Sequence, residues 1–255
     1  MTNPLPMTNA LPGTGPVLGI WAHPDDEVYL SGGLMAAARA AGRRVVCVTA
    51  TRGEHGTDDP GHWPPERLAA VREVELTASL AALGVTEHHQ LGLPDGGCAR
   101  QPFEAVVTRL AAIVSEVRPE VVLTFGPDGF TGHPDHRMVS AWAEAARNRA
   151  APTARLLHPR LTAAFADTWQ HVYDRLQLFD SADLPWRAAP DRVAVELRLD
   201  DALADRKLVA LRAQATQTAE LLTLLGAETM RAWACSVESF VDAAPAPAWD
   251  FADGC

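Results

Sequence analysis

Val17-Leu18-Gly19-Ile20-Trp21-Ala22-His23-Pro24-Asp25-Asp26-Glu27 decides the fold: an apolar run of strand length breaks into a histidine-acid cluster. A short, continuous apolar run of this kind is a strand buried on both faces, as in a parallel sheet. The pattern returns at Val121-Val122-Leu123-Thr124-Phe125, followed after a short loop by His133-Pro134-Asp135-His136. Around these two landmarks, strand and helix patterns alternate. Strand 17–22 leads to a helix near 31–41, with Ser31 as N-cap and Gly42 as stop. Strand 44–50 leads through a loop to a helix over 65–83 that opens on Pro65 and ends at Gly84. A strand near 87–91 precedes the turn Leu93-Pro94-Asp95-Gly96-Gly97 and a helix near 102–117. Strand 121–125 then leads to a helix starting at Pro134.

This rhythm predicts an α/β fold: a Rossmann-like, mostly parallel sheet with helices on both faces and strand order 3-2-1-4-5 at its core. In that order the first and fourth strands are neighbours whose following loops diverge. Ligands bind in the crevice outside their carboxyl ends. His23 and His136, 113 positions apart, are thereby placed to converge. Residues 1–16, rich in Pro, Asn, Thr and Gly, read as a flexible N-terminal tail, and residues 17–255 as one domain. Past about residue 150 the rhythm weakens into an irregular extension. It holds a strand at 193–199 and an Ala/Leu-rich helix near 201–225 whose stripe reads as core, and Pro245–Cys255 reads as irregular.

With 255 residues, 47% apolar and 21% charged, the chain can bury a full core. A formal charge of −10 argues against nucleic acid or an anionic membrane as partner, since both need a basic face. No window reaches the apolar length of a membrane span, and no basic segment precedes an apolar one at the N-terminus. Cys47, Cys98, Cys235 and Cys255 form neither a CxxC pair nor a disulfide framework. Free thiols suit a reducing cytoplasm, where we expect the protein to reside.

Imidazole and carboxylate at the spacings of the two clusters can hold a divalent ion such as zinc with positions left open for water and substrate. A spare carboxylate beside the ligands supplies a general base, and the combination describes a hydrolase. Acidic residues after a strand also serve simply to complement a helix dipole, and a lone HxxH is an ordinary surface pattern. It is the pairing of both clusters at adjacent strand ends that points to one metal site. Gly13-Thr14-Gly15-Pro16-Val17-Leu18-Gly19 is no dinucleotide fingerprint, because its glycines precede the strand. His55 and His62 read as solvent-facing or substrate-proximal, and His88-His89 as surface residues.

Ala22-His23-Pro24-Asp25-Asp26-Glu27 together with Gly132-His133-Pro134-Asp135-His136 resembles the signature of the PIG-L/LmbE-like zinc-dependent N-deacetylases. The resemblance runs through Thr51-Arg52-Gly53-Glu54, Arg72-Glu73, Leu83-Gly84 and Leu93-Pro94-Asp95-Gly96-Gly97. A weaker echo follows in Lys207, Ala210-Leu211, Thr216-Gln217, Glu238 and Phe240. It implies a metal, Zn2+ with Fe2+ as the alternative, held by His23, Asp26 and His136, and Asp25 as general base. It further implies a protonated His133 that holds the oxyanion, oriented by Asp135, and substrate contacts from Arg52, Glu54 and Asp95. The implied substrate is a small N-acetylated sugar, an N-acetylglucosamine conjugate of low-molecular-weight thiol biosynthesis, bacillithiol- or mycothiol-like. A thiol-conjugate amidase with the same metal chemistry, or a noncatalytic sugar- or nucleotide-binding module, are the alternatives. The oligomeric state, a homo-oligomer included, stays open. Two positions depart from the family pattern. Phe130-Thr131 stands where some members carry a tyrosine, and Gln214 where the C-terminal helix often carries a histidine.

Overall fold

A computed structural model describes residues 13–177, 179 and 187–243, so residues 1–12 of the expected tail and the segment Pro245–Cys255 lie outside the described residues. Five strands, β1 (Val17–Trp21), β2 (Val45–Thr51), β3 (Glu87–Leu93), β4 (Val121–Leu123) and β5 (Arg155–Pro159), alternate with four helices. These are α1 (Asp26–Ala40), α2 (Pro65–Leu83), α3 (Phe103–Val117) and α4 (Pro134–Ala150). The C-terminal part adds β6 (Leu161–Thr162), α5 (Ala163–Leu176), β7 (Arg187–Ala188), β8 (Val195–Arg198), α6 (Asp201–Ala213), α7 (Ala215–Leu225), α8 (Ala227–Ala234) and β9 (Val237–Asp242). The main sheet runs β3-β2-β1-β4-β5-β9-β8. Its first five strands are parallel, in the expected 3-2-1-4-5 order, and β9 and β8 continue it antiparallel. The stretch past residue 150 is therefore part of the sheet, and β6 pairs with β7 in a small second one.

Every residue of β1 and β2 is buried, as the unbroken apolar runs require of strands covered on both faces. Helices α1, α2 and α6 pack on one another, as do α3 and α4. Val17 pairs with Val121 and Gly19 with Leu123, so β1 and β4 end side by side and release their loops at the switch point. Residues 13–16 are tied down at the opposite, amino ends of the strands: Glu120 accepts hydrogen bonds from the backbone of Thr14 (2.8 Å) and Gly15, and Arg43 Nε donates to Gly15 O (2.6 Å).

Two helix boundaries differ from the sequence reading. Helix α1 starts at Asp26, five residues before Ser31, because the acidic cluster itself forms the first turn. Ser31 lies inside the helix and its hydroxyl donates to Glu27 O (3.1 Å), the local bond that makes serine ambiguous between cap and interior. The expected helix 201–225 is broken at Gln214 (ψ 49°) into α6 and α7. Only Thr218 of α7 is fully buried: Leu222 and Leu225 pack against the core, Leu221 lines a cavity and Leu224 is exposed. His88 is not a free surface residue either: within β3 it is half-buried, with Nε2 3.1 Å from Thr49 Oγ1.

His158, in β5, carries a testable consequence. Its Nε2 is buried without a partner, and burial, with Arg160 and Arg147 nearby, lowers its pKa to about 3. The unfolded chain binds the proton near pH 6.5 and the folded chain does not, so stability is full above 6.5 and falls as the pH drops below it. Between pH 7.5 and 5.5 this one group should remove about 1.4 kcal/mol. Urea titrations of wild type and His158→Leu at the two pH values should show that much less pH dependence in the variant; equal slopes would refute the assignment.

Candidate metal and catalytic site

The loop after β1 carries the first cluster and turns sharply into α1. Asp25, the N-cap, has φ 111° and ψ −30°, a left-handed conformation that costs a non-glycine residue about 1–3 kcal/mol. Three contacts hold it there. Asp25 N–H donates to Glu27 Oε2 (2.9 Å), Asp25 O accepts from Val28 N–H (3.1 Å) and Tyr29 N–H (3.0 Å), and Arg72 reaches over from α2. Arg72 donates to Gly53 O (2.8 Å) and Pro24 O, and its Nη2 lies 3.4 Å from Asp25 Oδ2. Glu27 is itself fully buried and accepts from Gln214 Nε2 (3.0 Å), which is why the C-terminal helix breaks there.

The second cluster opens α4 with His133 as N-cap and Pro134 in the first turn. His136 donates from Nδ1 to Gly129 O (3.0 Å), with Thr131 Oγ1 at 3.3 Å. The loop is shaped for this: Gly129 has φ 74°, and a Cβ there would stand 3.1 Å from His136 Cβ. With the proton on Nδ1, Nε2 offers its lone pair, and burial keeps the ring neutral, with a pKa lowered to about 4.

Both clusters meet at that nitrogen. His136 Nε2 is 3.1 Å from His23 Nδ1 and 3.4 Å from Asp26 Oδ1, while Asp26 Oδ2 is 3.6 Å from His23 Nδ1. The backbone N–H of His23 donates to Asp26 Oδ2 (2.7 Å), which fixes the carboxylate across the turn. Around a tetrahedral zinc with bonds near 2.0–2.1 Å, neighbouring donor atoms stand roughly 3.3 Å apart. The distances from His136 Nε2 to His23 Nδ1 and to Asp26 Oδ1 straddle that edge length, while the other Asp26 oxygen is the one nearer His23. Charge agrees: Asp25, Asp26, Asp95 and Asp135 converge on the imidazoles. Burial alone would lower the pKa of His23, but Asp135, Asp95 and Asp26 outweigh it and raise it to about 10. A site that gathers this much negative charge favours a cation. Among the described residues, His23, His133 and His136 bring donor atoms within 4.8 Å of one another, as do His23, Asp95 and Asp135.

The remaining expected residues fall in different places. His23 Nε2 faces Asp95 Oδ1 (3.1 Å) and Asp135 Oδ2 (3.5 Å), so both carboxylates back the ring of His23. Asp95 also accepts from His55 N–H (2.9 Å). The reading of Asp135 is corrected. Its carboxylate accepts from Gly96 N–H (2.8 Å) and Cys98 N–H (3.0 Å) rather than orienting the His133 ring. What reaches His133 Nδ1 is the backbone N–H of Asp135 (3.2 Å). That bond engages Nδ1 and leaves Nε2 as the ring nitrogen able to donate. Glu54 Oε1 accepts from Asp95 N–H (3.0 Å), and its Oε2 is buried with no partner. Arg52 is exposed. Sequence reasoning missed Glu27, Arg72 and Gln214 as site residues, although the first belongs to the motif itself and the others stand in quoted segments or departures.

Burial pushes Asp25 up to about 7, with Arg72 opposing and Asp26 adding to the rise. A carboxylate poised there can take a proton near neutral pH. Beside it opens a cavity of about 320 Å³, lined by Asp25, Asp26 and His136 at one end.

Known proteins bear on this geometry. Residues 18–147 match the family described as PIG-L: GlcNAc-PI de-N-acetylase. A 1D-myo-inositol 2-acetamido-2-deoxy-alpha-D-glucopyranoside deacetylase of Kineococcus radiotolerans is 39% identical over 148 residues, 47% of this chain and 41% of that protein. The enzyme of the same name from Mycobacterium sp. (strain KMS) is 34% identical over 228 residues, 79% of this chain and 73% of that protein. The match thus spans less than half of the first relative and about three quarters of the second. Among solved structures, N,N'-diacetylchitobiose deacetylase from Pyrococcus horikoshii shares the fold, with a TM-score of 0.61 at 23% identity, covering 89% of this chain and 83% of that one. Both histidine-acid clusters fall inside the matched residues, and the chain belongs to the PIG-L family of de-N-acetylases.

Proposed function

We propose that this chain is a metal-dependent hydrolase that removes the acetyl group from an N-acetylglucosamine-type sugar conjugate. The observation that carries the reading is the buried Asp25 carboxylate beside His136 Nε2, which has His23 Nδ1 at 3.1 Å and Asp26 Oδ1 at 3.4 Å. Mere sugar binding requires no such base, which disfavours a noncatalytic module. His23, Asp26 and His136 would hold the ion, zinc by the chemistry of the donor set, with iron(II) as the alternative. When bound, a zinc ion polarises a carbonyl and makes hydroxide available near neutral pH. Asp25 takes the proton of the attacking water. His133 Nε2–H donates to the carbonyl oxygen as charge builds there. The proton held by Asp25 then passes to the leaving amine. Glu54 and Arg52 would meet sugar hydroxyls or an anionic substituent.

Free, buried Cys47, Cys98 and Cys235 support a cytoplasmic setting. Among the described residues no helix is long and apolar enough to cross a membrane. The relatives' names make 1D-myo-inositol 2-acetamido-2-deoxy-alpha-D-glucopyranoside the first compound to try; a thiol-conjugate amidase would use the same site. Metal-replete protein should release amine from N-acetylglucosaminides and stop when the ion is chelated. Absence of amine release from every glycoside, or release that survives chelation, would sink the reading.

The place of Asp95 yields a separate expectation. A carboxylate behind a ligating histidine typically carries 10–100-fold of metal affinity. Asp95→Ala should weaken metal binding by about that factor, as read by competition with a chromogenic chelator. An unchanged affinity with a raised KM would return Asp95 to the role of substrate contact.

A further inference from the structure

We infer that the substrate carries an apolar substituent that fills the cavity beside the metal site, in place of a hydroxyl-rich partner. This inference rests on the deacetylase reading and concerns the rest of the substrate. The cavity of about 320 Å³ starts at Asp25 and His136 and is far larger than an acetyl group requires. An unbroken chain of aromatic rings lines it. Tyr29 stands 6.2 Å from Trp233, Trp233 6.0 Å from Tyr173, Tyr173 5.3 Å from Phe179, and Phe179 6.2 Å from Phe130. Phe165 and Leu221 close the wall.

Away from the Asp25 and Asp26 end, the charged groups on the same wall are already engaged, and among the described lining residues Tyr29 Oη is the buried side-chain polar atom without a partner. Arg160 Nη2 donates to Asp128 (2.9 Å), and Glu238 accepts from Lys207 (2.7 Å), Gly33 N–H (2.7 Å) and Leu34 N–H (2.8 Å). A polyhydroxylated ring such as an inositol would lose its water here with few partners in exchange, which is unfavourable. An alkyl chain or aromatic ring loses nothing, and each buried methylene favours binding about two- to fourfold. The apolar group can hang from either end of the reacting amide, as the aglycone of the sugar or as an acyl chain longer than acetyl.

The test uses metal-replete protein, with all ligands kept below micelle formation. One arm holds the acetyl group and compares methyl, octyl and myo-inositol glycosides of N-acetylglucosamine. The other holds the methyl glycoside and compares N-acetyl with N-octanoyl. Either octyl over methyl, or octanoyl over acetyl, should show at least about a 30-fold advantage in kcat/KM. The arm that responds identifies the source. Phe165→Gln and Leu221→Gln, both half-buried in the wall, should bring that ratio back toward one. Ratios near one in both arms, or a preference for the inositol glycoside, overturn the inference while leaving the deacetylase reading intact. Calorimetric titration covers the case of no turnover at all. Binding of the octyl glycoside at least about 30-fold tighter than the methyl glycoside upholds the apolar site with the reaction reading lost, and equal binding overturns both.

Discussion

Asp25→Asn should leave the protein folded and metal-loaded while lowering kcat by about 10²–10⁴-fold. The fold tolerates the change because Asn is among the few residues that accept positive φ readily, and Asp25 sits at φ 111°. The Asn backbone N–H still donates to Glu27, and Arg72 still caps Pro24 O. What vanishes is the proton acceptor. Asp26→Asn is the contrasting variant: it replaces the oxygen 3.4 Å from His136 Nε2 with a weaker donor or a repelling NH₂, so metal affinity should fall together with rate. Metal content and steady-state kinetics of the two proteins decide the matter. Matching metal loss in both would show that the roles of the adjacent carboxylates are not divided as proposed.

The pH profile follows with a definite sign. The base works deprotonated, so activity rises with pH through its pKa. Burial and Asp26 hold Asp25 up at about 7 against Arg72, and a cation on Asp26 pulls it down again. The acid limb of kcat/KM therefore lies below pH 7 and is absent from the residual activity of Asp25→Asn.

Glu238→Leu should destabilise the protein by about 3–5 kcal/mol, the usual result of removing one partner from a buried ion pair. Lys207 Nζ and Glu238 Oε1 meet at 2.7 Å with side chains 1% and 3% exposed. The pair is built into the ladder of α1. Lys207 Nζ donates to Tyr29 O (2.9 Å), and Glu238 takes the N–H groups of Gly33 and Leu34. Gly33 is required at that crossing, since a Cβ there would come within 2.4 Å of Leu199 Cδ2 and 3.0 Å of Glu238 Oε1. Removing Glu238 strands a buried ammonium and two backbone donors at once. For a chain of this size the loss corresponds to a fall in Tm of roughly 6–20 °C. Lys207→Met should act in the same direction, and the double variant should lose less than the sum, because no lone charge is left. Single-variant losses under about 1 kcal/mol in urea unfolding would show that the pair is not needed to hold α1 against α6 and β9.

The parallel sheet, its 3-2-1-4-5 core and the convergence of the two histidine clusters were legible in the sequence. Each depends on local signals: unbroken apolar runs of strand length, Pro65 and Pro134 opening helices, Gly84 closing one, and loops of a length that imposes crossovers. Burial on both faces leaves such strands no alternative packing. Tertiary structure alone decided the rest, because side chains distant in sequence fix it. The C-terminal strands become part of the sheet because β9 pairs antiparallel with β5 and β8 with β9, and nothing within residues 195–242 announces that partner. Gln214 breaks a helix that local propensity would continue, since its amide is drawn to Glu27, 187 positions away. Asp95 and Asp135 face His23 because the backbone N–H groups of His55, Gly96 and Cys98 hold their carboxylates there. Spacing brought the ligands to one place; only the folded environment determined which oxygen faces which nitrogen.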